Sequence, residues 1–308
     1  MPQPAALNRL IEEFVERRPM RSKSLIVTVF GDVVSQHGHI LWLGSLVGAL
    51  KPLGISERLV RTSVFRLVQE GWLESERAGR RSYYRFSDYG NNEYERAAKR
   101  IYAVQELPWT EQWQLLIPLD VPEDVRESFR RSLYWQGFRN IATNTFAKPG
   151  FNGNALQEIL AHFKVTDQVL LMEAKTSQLI PGKSVRKLVN DCWNLDEIAT
   201  DYQDFLQRFK PLIKWLQGNK KVQPQACFLA RILLIHDYRR LLLKDTLLPE
   251  ALLPNAWPGA QARELTAKLY HLLAEPTNAY ITTELEGSDG QLNQPCRRYW
   301  SRFDPIDQ

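Results

Sequence analysis

Apolar residues recur at three- and four-residue spacing in three consecutive segments near the start of the chain. This period predicts helices over residues 24–34, 40–50 and 56–70. Gly54 is in the position that ends the second helix, and Ser56 is in the position of an N-cap for the third. The first hundred residues are therefore expected to contain a helical module with a tight connection between its second and third helices.

The pattern changes after the third helix to two short, aromatic-rich runs that are typical of β-strands. They cover residues 72–77 and 82–86, and the link between them contains Gly79. Glycine at this place favours the tight turn of a β-hairpin. A charged helix is then predicted from 88 to about 102. Three helices followed by a basic hairpin are the element order of a winged helix-turn-helix domain.

The third predicted helix has two chemically different faces. At 100° per residue, Val60, Val64, Leu67 and Val68 fall within about 100° of arc. The opposite face, about 140° wide, carries Arg58, Arg61, Thr62, Phe65 and Arg66. The first face is expected in the core, and the second is expected to meet solvent or a partner.

The outward face suits a helix lying in the major groove of double-stranded DNA. Arginine pairs with guanine O6 and N7 or with phosphates, and Thr62 and Phe65 can contact thymine methyl groups. The hairpin arginines are candidates for phosphate contacts that position the protein without reading sequence. The predicted DNA-binding residues are Ser56, Arg58, Arg61, Thr62, Phe65, Arg66, Arg77, Arg80 and Arg81. The alternatives are a solvated helix face and a hairpin whose arginines only keep a sheet edge soluble.

The rest of the chain divides into a mixed segment and a helical segment. Strands at 114–119, 140–145 and 168–174, with helices at 122–137 and 154–163 between them, predict a small ferredoxin-like α+β unit. Helices are predicted at 185–193, 195–218, 225–244 and 260–274, and the composition after Pro276 favours an irregular tail. The predicted fold class is α+β and multidomain, with a winged helix-turn-helix domain at 1–105, a ferredoxin-like domain at 106–182 and an all-α domain at 183–308.

Length and charge narrow the class of protein. The chain has 308 residues, which predicts two or three domains. Its excess of five positive charges lies in the first hundred residues, which hold 16 Lys and Arg against 11 Asp and Glu, whereas residues 101–308 hold 24 of each. A basic module attached to a neutral body predicts an anionic partner at one end, and nucleic acid is the commonest.

Several kinds of site are not expected. Cys192, Cys227 and Cys296 are far apart, so neither a disulfide framework nor a zinc site is predicted. The chain shows no secretory signal and no apolar run near the ~20 residues that span a bilayer, which favours a cytoplasmic protein without a membrane partner. No Walker A, GxGxxG, HExxH or GxSxG motif occurs. We therefore expect no catalytic activity, no cofactor and no metal.

Cations beside aromatic residues mark a candidate ligand site in the C-terminal third. The residues are His236, Tyr238, Arg239, Arg240, Lys244 and Trp257. Arginine can hold a phosphate or carboxylate, and an aromatic side chain can stack on a ring of the ligand. The alternative is structural, because such arginines commonly pair with neighbouring carboxylates and a lone histidine is commonly a core residue.

Two groups of motifs, in this order, make the chain similar to the PaaX family, the repressors of phenylacetate-degradation operons. The first group is Leu41–Leu46 (LWLGSL), Arg58–Leu67 (RLVRTSVFRL) and Glu70–Leu73 (EGWL). The second is Leu233–Arg240 (LLIHDYRR), Lys244-Asp245, Leu248–Glu250 (LPE) and Leu253-Pro254. The resemblance implies a dimeric repressor that leaves its operator on binding phenylacetyl-coenzyme A, with a central domain similar to Cas2.

Two other classes stay open at this point. The first is an enzyme acting on coenzyme A thioesters or a metal-dependent nuclease, whose basic end would hold substrate. Asp120 is the obvious candidate for a metal ligand, although a lone Asp before Pro122 is more simply a helix cap. The second is an adaptor whose basic hairpin binds an acidic protein.

Overall fold

A computed structural model describes residues 4–17, 22–102, 109–150, 153–177, 182–218, 222–246 and 248–303. The chain forms two compact units, each built from separate stretches of sequence. One comprises 1–105, 202–241 and 259–308, and the other comprises 106–201 and 242–258. The three-part division by sequence stays a prediction, and its first boundary lies outside the described residues.

The N-terminal stretch alternates helices with short strands. Its elements are α1 (Ala5–Glu16), α2 (Ser22–Asp32), β1 (Leu41–Trp42), α3 (Leu43–Leu50), α4 (Glu57–Gln69), β2 (Leu73–Ala78), β3 (Arg81–Phe86) and α5 (Asp88–Tyr102), with 3₁₀ turns at Val34–Gln36 and Lys51–Leu53. The predicted helix over 40–50 is wrong at its start. Leu41 and Trp42 pair with Tyr84 and Tyr83 of β3, because pairing with the hairpin outweighs the helical spacing of these apolar residues.

A three-stranded antiparallel sheet of order β1-β3-β2 joins the hairpin to the helices. Ala78 pairs with Arg81, so the hairpin turn consists of Gly79 and Arg80. Gly79 has φ 59°, at the first turn position, where a type II′ turn takes glycine.

The central stretch folds as one antiparallel sheet with helices between its strands. Its elements are β4 (Gln112–Pro118), α6 (Glu123–Trp135), β5 (Arg139–Ala142), β6 (Thr145–Pro149), α7 (Gly153–Phe163), a 3₁₀ turn (Thr166–Gln168) and β7 (Val169–Lys175). The strand order β5-β6-β4-β7 and the succession βαββαβ are ferredoxin-like. The single strand predicted over 140–145 is wrong: the chain turns at Asn144, whose φ is 60°, and returns as β6.

The C-terminal stretch is mainly helical. Its elements are α8 (Gly182–Trp193), α9 (Leu195–Phe209), α10 (Pro211–Gly218), α11 (Pro224–Lys244), a 3₁₀ turn (Glu250–Leu252), α12 (Pro258–Glu284), β8 (Glu286–Gly287), β9 (Gly290–Gln291) and α13 (Arg297–Trp300). The helix predicted over 195–218 is divided at Lys210, because Pro211 cannot donate the hydrogen bond that would continue it.

The irregular tail predicted after Pro276 is also corrected. Pro276 lies inside α12, which continues to Glu284. Leu273 and Ile281, on either side of the proline, are completely buried. Tertiary burial of these side chains offsets the hydrogen bond that proline removes.

The larger unit contains a buried ionic cluster. The carboxylate of Asp32, at the end of α2, accepts hydrogen bonds from Arg231 of α11 at 2.8 Å and from Arg302 at 3.0 Å. Tyr102 and Tyr270 donate to the same carboxylate at 2.7 and 3.1 Å. The cluster therefore connects helices whose sequences are about two hundred residues apart.

Three expectations about chemistry can be compared with the described residues. All three cysteines are free thiols, and burial raises the pKa of Cys227 to about 12. No helix in the described ranges combines the length and apolar character required to cross a bilayer. Within the same ranges no group of three or more His, Cys, Asp or Glu residues could hold a metal ion. Asp120 is exposed, and Pro122 rather than Asp120 occupies the N-cap of α6.

Candidate nucleic-acid interface

Helix α4 buries one face and exposes the other, as its sequence predicts. Val60, Val64 and Leu67 are at most 3% exposed and belong to the core. Ser56 caps the helix by accepting a hydrogen bond from the backbone N–H of Leu59 at 3.3 Å. The predicted N-cap is thus confirmed, and the Ser56 hydroxyl is already used in a hydrogen bond to its own helix.

The outward face of α4 carries all five side chains predicted to meet DNA. Arg58, Arg61, Thr62, Phe65 and Arg66 are exposed, Phe65 to 61%. An apolar ring with this exposure has no structural role in the core. The Thr62 hydroxyl donates to the carbonyl of Arg58 at 2.9 Å, so its hydrogen bond is made within the helix.

The three arginines of this face differ in how they are held. Arg61 forms an ion pair of 2.7 Å with Glu57, one turn earlier on the same helix. Arg58 and Arg66 have no side-chain ion pair or hydrogen bond with any residue in the described ranges. Both guanidinium groups are thus available to an external anion or base, whereas Arg61 must first leave Glu57.

The hairpin arginines also differ in whether their side chains have a partner among the described residues. Arg77 and Arg80 are exposed and, among the residues that the structure describes, have no side-chain partner. Arg85 pairs with Glu74 across the hairpin at 2.6 Å. Arg80 lies in the turn itself, the part of the hairpin that projects furthest, so it is the better placed of the free arginines to reach a phosphate.

Arg81 is held at the base of the turn. Its guanidinium donates to Glu286 at 2.5 Å and lies 4.3 Å from the ring centre of Trp42. Hydrogen bonding to Glu286 raises the pKa of Arg81 above its ordinary value. This residue therefore fixes the hairpin against β1 and β8, and its charge is already partly neutralised.

The predicted ligand residues on α11 have mostly structural surroundings. His236 is 1% exposed, and its ring packs edge-on against Phe14, while burial lowers its pKa to about 3. Tyr238 is 2% exposed and packs against Phe205. His236 therefore has the core position that the sequence offered as the structural alternative, and Tyr238 is also buried.

Arg239 is also committed to the protein. Its guanidinium donates to the carbonyl of Ser24 at 3.2 Å and to the hydroxyl of Thr28 at 3.1 Å, both on α2. Burial lowers its pKa below the ordinary arginine value. Arg239 thus joins α11 to α2.

Arg240 belongs to a different cluster, in which three arginines surround the carboxylate of Asp237. Arg17 donates to both carboxylate oxygens at 2.7 and 3.1 Å, and Arg208 donates at 2.5 Å. Arg240 approaches to 3.8 Å. The three arginine side chains are 33%, 21% and 31% exposed, so this cluster brings three part-exposed guanidinium groups to one buried carboxylate.

Lys244 and Trp257 lie in the other compact unit. Lys244 pairs with Asp201 at 2.5 Å and approaches Glu197 at 3.9 Å. Trp257 is half-buried against a core cluster that contains Trp113 and Trp193. The six predicted ligand residues are therefore divided between the two units.

Sequence reasoning missed Arg17, Arg208 and Asp237 as members of one charged cluster. Arg17 and Asp237 are 220 residues apart, so no spacing in the sequence relates them. The i, i+3 pair of Asp237 and Arg240 on α11 was the one local signal available.

Models of known families match most of the chain. "PaaX-like protein" matches residues 21–90, "PaaX protein central Cas2-like domain" matches 106–186, and "PaaX-like protein C-terminal domain" matches 193–283. The chain is 37% identical over 298 residues to the transcriptional repressor PaaX of Escherichia coli K12, covering 96% of this chain and 94% of that protein.

One solved structure is similar in fold. It is the uncharacterized protein Rv0674 from Mycobacterium tuberculosis, with a TM-score of 0.50, 19% identity and coverage of 77% of this chain and 89% of that chain. At this level of identity the likeness concerns the fold alone.

Proposed function

The chain belongs to the PaaX family, and from that premise we propose that it is a transcriptional repressor of phenylacetate catabolic genes that binds operator DNA through a winged helix-turn-helix domain. The observation that carries the proposal is the outer face of α4, where Arg58 and Arg66 are exposed and have no partner among the described residues. A basic face opposite a buried one suits a recognition helix in the major groove.

The hairpin of β2 and β3 takes the role of the wing in this proposal. Arg81 holds its base through Glu286, and Arg80 at the turn is free to contact the backbone phosphates beside the site. The two elements have different roles in this proposal. Helix α4 recognises bases, and the hairpin contributes affinity that does not depend on the DNA sequence.

The similarity to a curated repressor favours this function over the enzyme and the adaptor considered above. The exposed Asp120 without neighbouring ligands among the described residues gives no support to the nuclease. A gel-shift titration on the gene's own upstream region tests the proposal directly. Specific retardation that scrambled duplex does not compete away supports it, and equal binding to both duplexes contradicts it.

We expect Arg80→Ala to weaken binding to operator and to scrambled duplex by the same factor. If Arg80 contacts one phosphate, its loss reduces the slope of log K against log salt by about 0.9. Fluorescence anisotropy at four salt concentrations measures the slope. Arg85→Ala is the matched control, because it removes the same charge from the same hairpin at a residue already paired with Glu74. Equal slopes for the two variants would remove the hairpin from the interface.

We also propose that phenylacetyl-coenzyme A releases the repressor from DNA. An inducer acts only if it binds the DNA-incompetent state more tightly than the bound state. The cluster of Arg17, Arg208 and Arg240 around Asp237 places three part-exposed guanidinium groups together, a chemistry that suits the phosphates of such a thioester. His236, Tyr238 and Arg239 are left out of this proposal, because their surroundings are protein.

We expect Arg240→Gln to weaken phenylacetyl-coenzyme A binding about tenfold or more, the loss of one charge-assisted hydrogen bond. Isothermal titration calorimetry gives the affinity, and free coenzyme A in a parallel titration isolates the contribution of the phosphates. Lys244→Gln, on the same helix but paired with Asp201, is the control. Parental affinity in Arg240→Gln, with operator binding intact, would reject this site without affecting the proposed DNA interface.

A further inference from the structure

The C-terminal segment, residues 285–303, packs along the N-terminal stretch of the same compact unit. Three of its backbone N–H groups donate to carbonyls of that stretch, at 3.1, 2.9 and 2.9 Å: Asn293 to His37, Cys296 to Gln36 and Phe303 to Tyr102. Leu285, Leu292 and Tyr299 are at most 6% exposed. The segment is therefore a fixed part of the unit that carries the proposed DNA-binding face.

Strand β8 of this segment lies against the residues that lead into β1 and α3. The backbone N–H of Glu286 donates to the hydroxyl of Ser45 at 2.9 Å. A side chain at Gly287 would bring its Cβ atom to 3.0 Å from the carbonyl oxygen of Ile40, so glycine permits this close approach. The main chain thus places Glu286 beside the hairpin without depending on the charge of its side chain.

The carboxylate of Glu286 binds the guanidinium group of Arg81. The two groups are 2.5 Å apart, and their side chains are 32% and 48% exposed. Trp42 supports one face of the same guanidinium group, with its ring centre 4.3 Å away. The N–H groups at the edge of a guanidinium bind carboxylates and phosphates in the same way. Glu286 therefore occupies a position on Arg81 that suits a DNA phosphate.

The charges on either side of this contact are strongly divided. Residues 284–289 contain three carboxylates and no cation, whereas residues 77–85 contain four arginines and no carboxylate. Arg81 and Glu286 join these two segments. Because an ion pair this exposed to solvent is weak, it can be exchanged for a contact with another anion. An anion that approaches Arg81 must first displace Glu286.

We propose that Glu286 is an intramolecular competitor of DNA that holds Arg81 away from the backbone phosphates. This inference rests on the proposed function, in which the neighbouring Arg80 contacts a phosphate. The sequence places Arg81 among the DNA contacts, but in this proposal Arg81 reaches DNA only when Glu286 is removed. The carboxylate thus limits how many phosphates the hairpin neutralises, and it lowers the part of the affinity that does not depend on sequence. A repressor that has to leave its operator benefits from such a limit.

Glu286→Gln tests the proposal in the full-length chain. Glutamine removes the charge but keeps the size of the side chain and the backbone hydrogen bond to Ser45. One further phosphate contact should steepen the slope of log K against log salt by about 0.9. Binding to operator and to scrambled duplex should tighten alike, by about three- to tenfold at about 0.1 M salt. Fluorescence anisotropy at several salt concentrations measures both quantities.

Asp289→Asn is the matched control for charge. It removes one carboxylate from the same acidic segment, at an exposed residue that has no ion pair among the residues that the structure describes. The slope should stay at the parental value in this variant. Arg81→Gln should also keep the parental slope, because in the parent Arg81 does not contact DNA. Adding Glu286→Gln to Arg81→Gln should then give no gain.

The results separate this inference from the proposed function. An unchanged slope in Glu286→Gln, or an equal gain in Asp289→Asn or in the Arg81→Gln background, would overturn the competitor role. A hairpin that is only loosened by loss of the ion pair would bind equally or more weakly, which also contradicts the proposal. Equal affinity of the parent for operator and scrambled duplex, together with the expected gain in slope, would contradict the repressor function alone. A parent that binds neither duplex would contradict both.

Discussion

Asp32→Asn is expected to lower the free energy of unfolding by about 3–5 kcal/mol, the cost of leaving buried cations without their carboxylate. Asp32 and Arg231 have completely buried side chains, and that of Arg302 is 6% exposed. Asparagine preserves the size of the side chain but removes the negative charge that both guanidinium groups share. Urea unfolding followed by tryptophan fluorescence measures the change.

The tyrosines around Asp32 explain why the cluster does not tolerate this change. Arg302 stacks on Tyr102 at 4.0 Å and Arg231 on Tyr270 at 4.5 Å. Their rings hold the guanidinium groups in place and keep water out, so the cations cannot turn to solvent. Asp237→Asn is the matched control. It removes a carboxylate from a comparable cluster whose arginines are 21–33% exposed, and we expect a smaller loss. If Asp32→Asn and Asp237→Asn lowered the free energy of unfolding equally, the burial of Arg231 and Arg302 would not be the cause of the large loss expected for Asp32→Asn.

The same carboxylate makes stability depend on pH. Burial raises the pKa of Asp32, but Arg231, Arg302 and the hydrogen bond from Tyr102 lower it by more, so the pKa lies below its ordinary value. A lowered folded-state pKa gives stability that is complete above the unfolded value of about 3.9 and is lost as pH falls through the folded value. The difference between parent and Asp32→Asn should therefore shrink as pH is lowered from 6 to 3.

The sequence predicts local features well where one helix or hairpin determines them. The two faces of α4, its N-cap at Ser56 and the glycine turn at Gly79 are each encoded within a few residues, and the structure confirms all three. Strand β1 was missed, because its two residues form a strand through pairing with β3 and have no strand pattern of their own.

The charged clusters show why the remaining features could not be predicted. Asp32 meets Arg231 and Arg302 across 199 and 270 residues, and Arg17 meets Asp237 across 220. A buried arginine and a part-exposed arginine look the same in a sequence, so Arg239 and Arg240 were assigned together, although Arg239 holds α2 and Arg240 belongs to a part-exposed cluster. Periodicity predicts which face of a helix is buried, but it does not predict which element packs against that face.

The recognition-helix proposal predicts that removing both unpaired arginines of α4 abolishes selectivity for operator DNA. Arg58 and Arg66 are eight residues apart, about 12 Å along the helix axis, so they can reach separate base pairs. A bidentate arginine contact contributes about 1–3 kcal/mol of discrimination, and the losses from such separated sites should nearly add. We expect the double variant, Arg58→Ala with Arg66→Ala, to lose about 2–6 kcal/mol on operator and much less on scrambled duplex.

Arg61→Ala supplies the comparison that isolates base reading from charge. It removes one positive charge from the same face, but Arg61 is already held by Glu57 at 2.7 Å and must break that pair before it binds DNA. Its loss should therefore be smaller than that of Arg66→Ala in titrations against both duplexes at fixed salt. If Arg58→Ala and Arg66→Ala bind operator as the parent does, α4 does not lie in the groove. If all three variants lose affinity equally on both duplexes, the helix contacts phosphates alone, and the bases are read by another element.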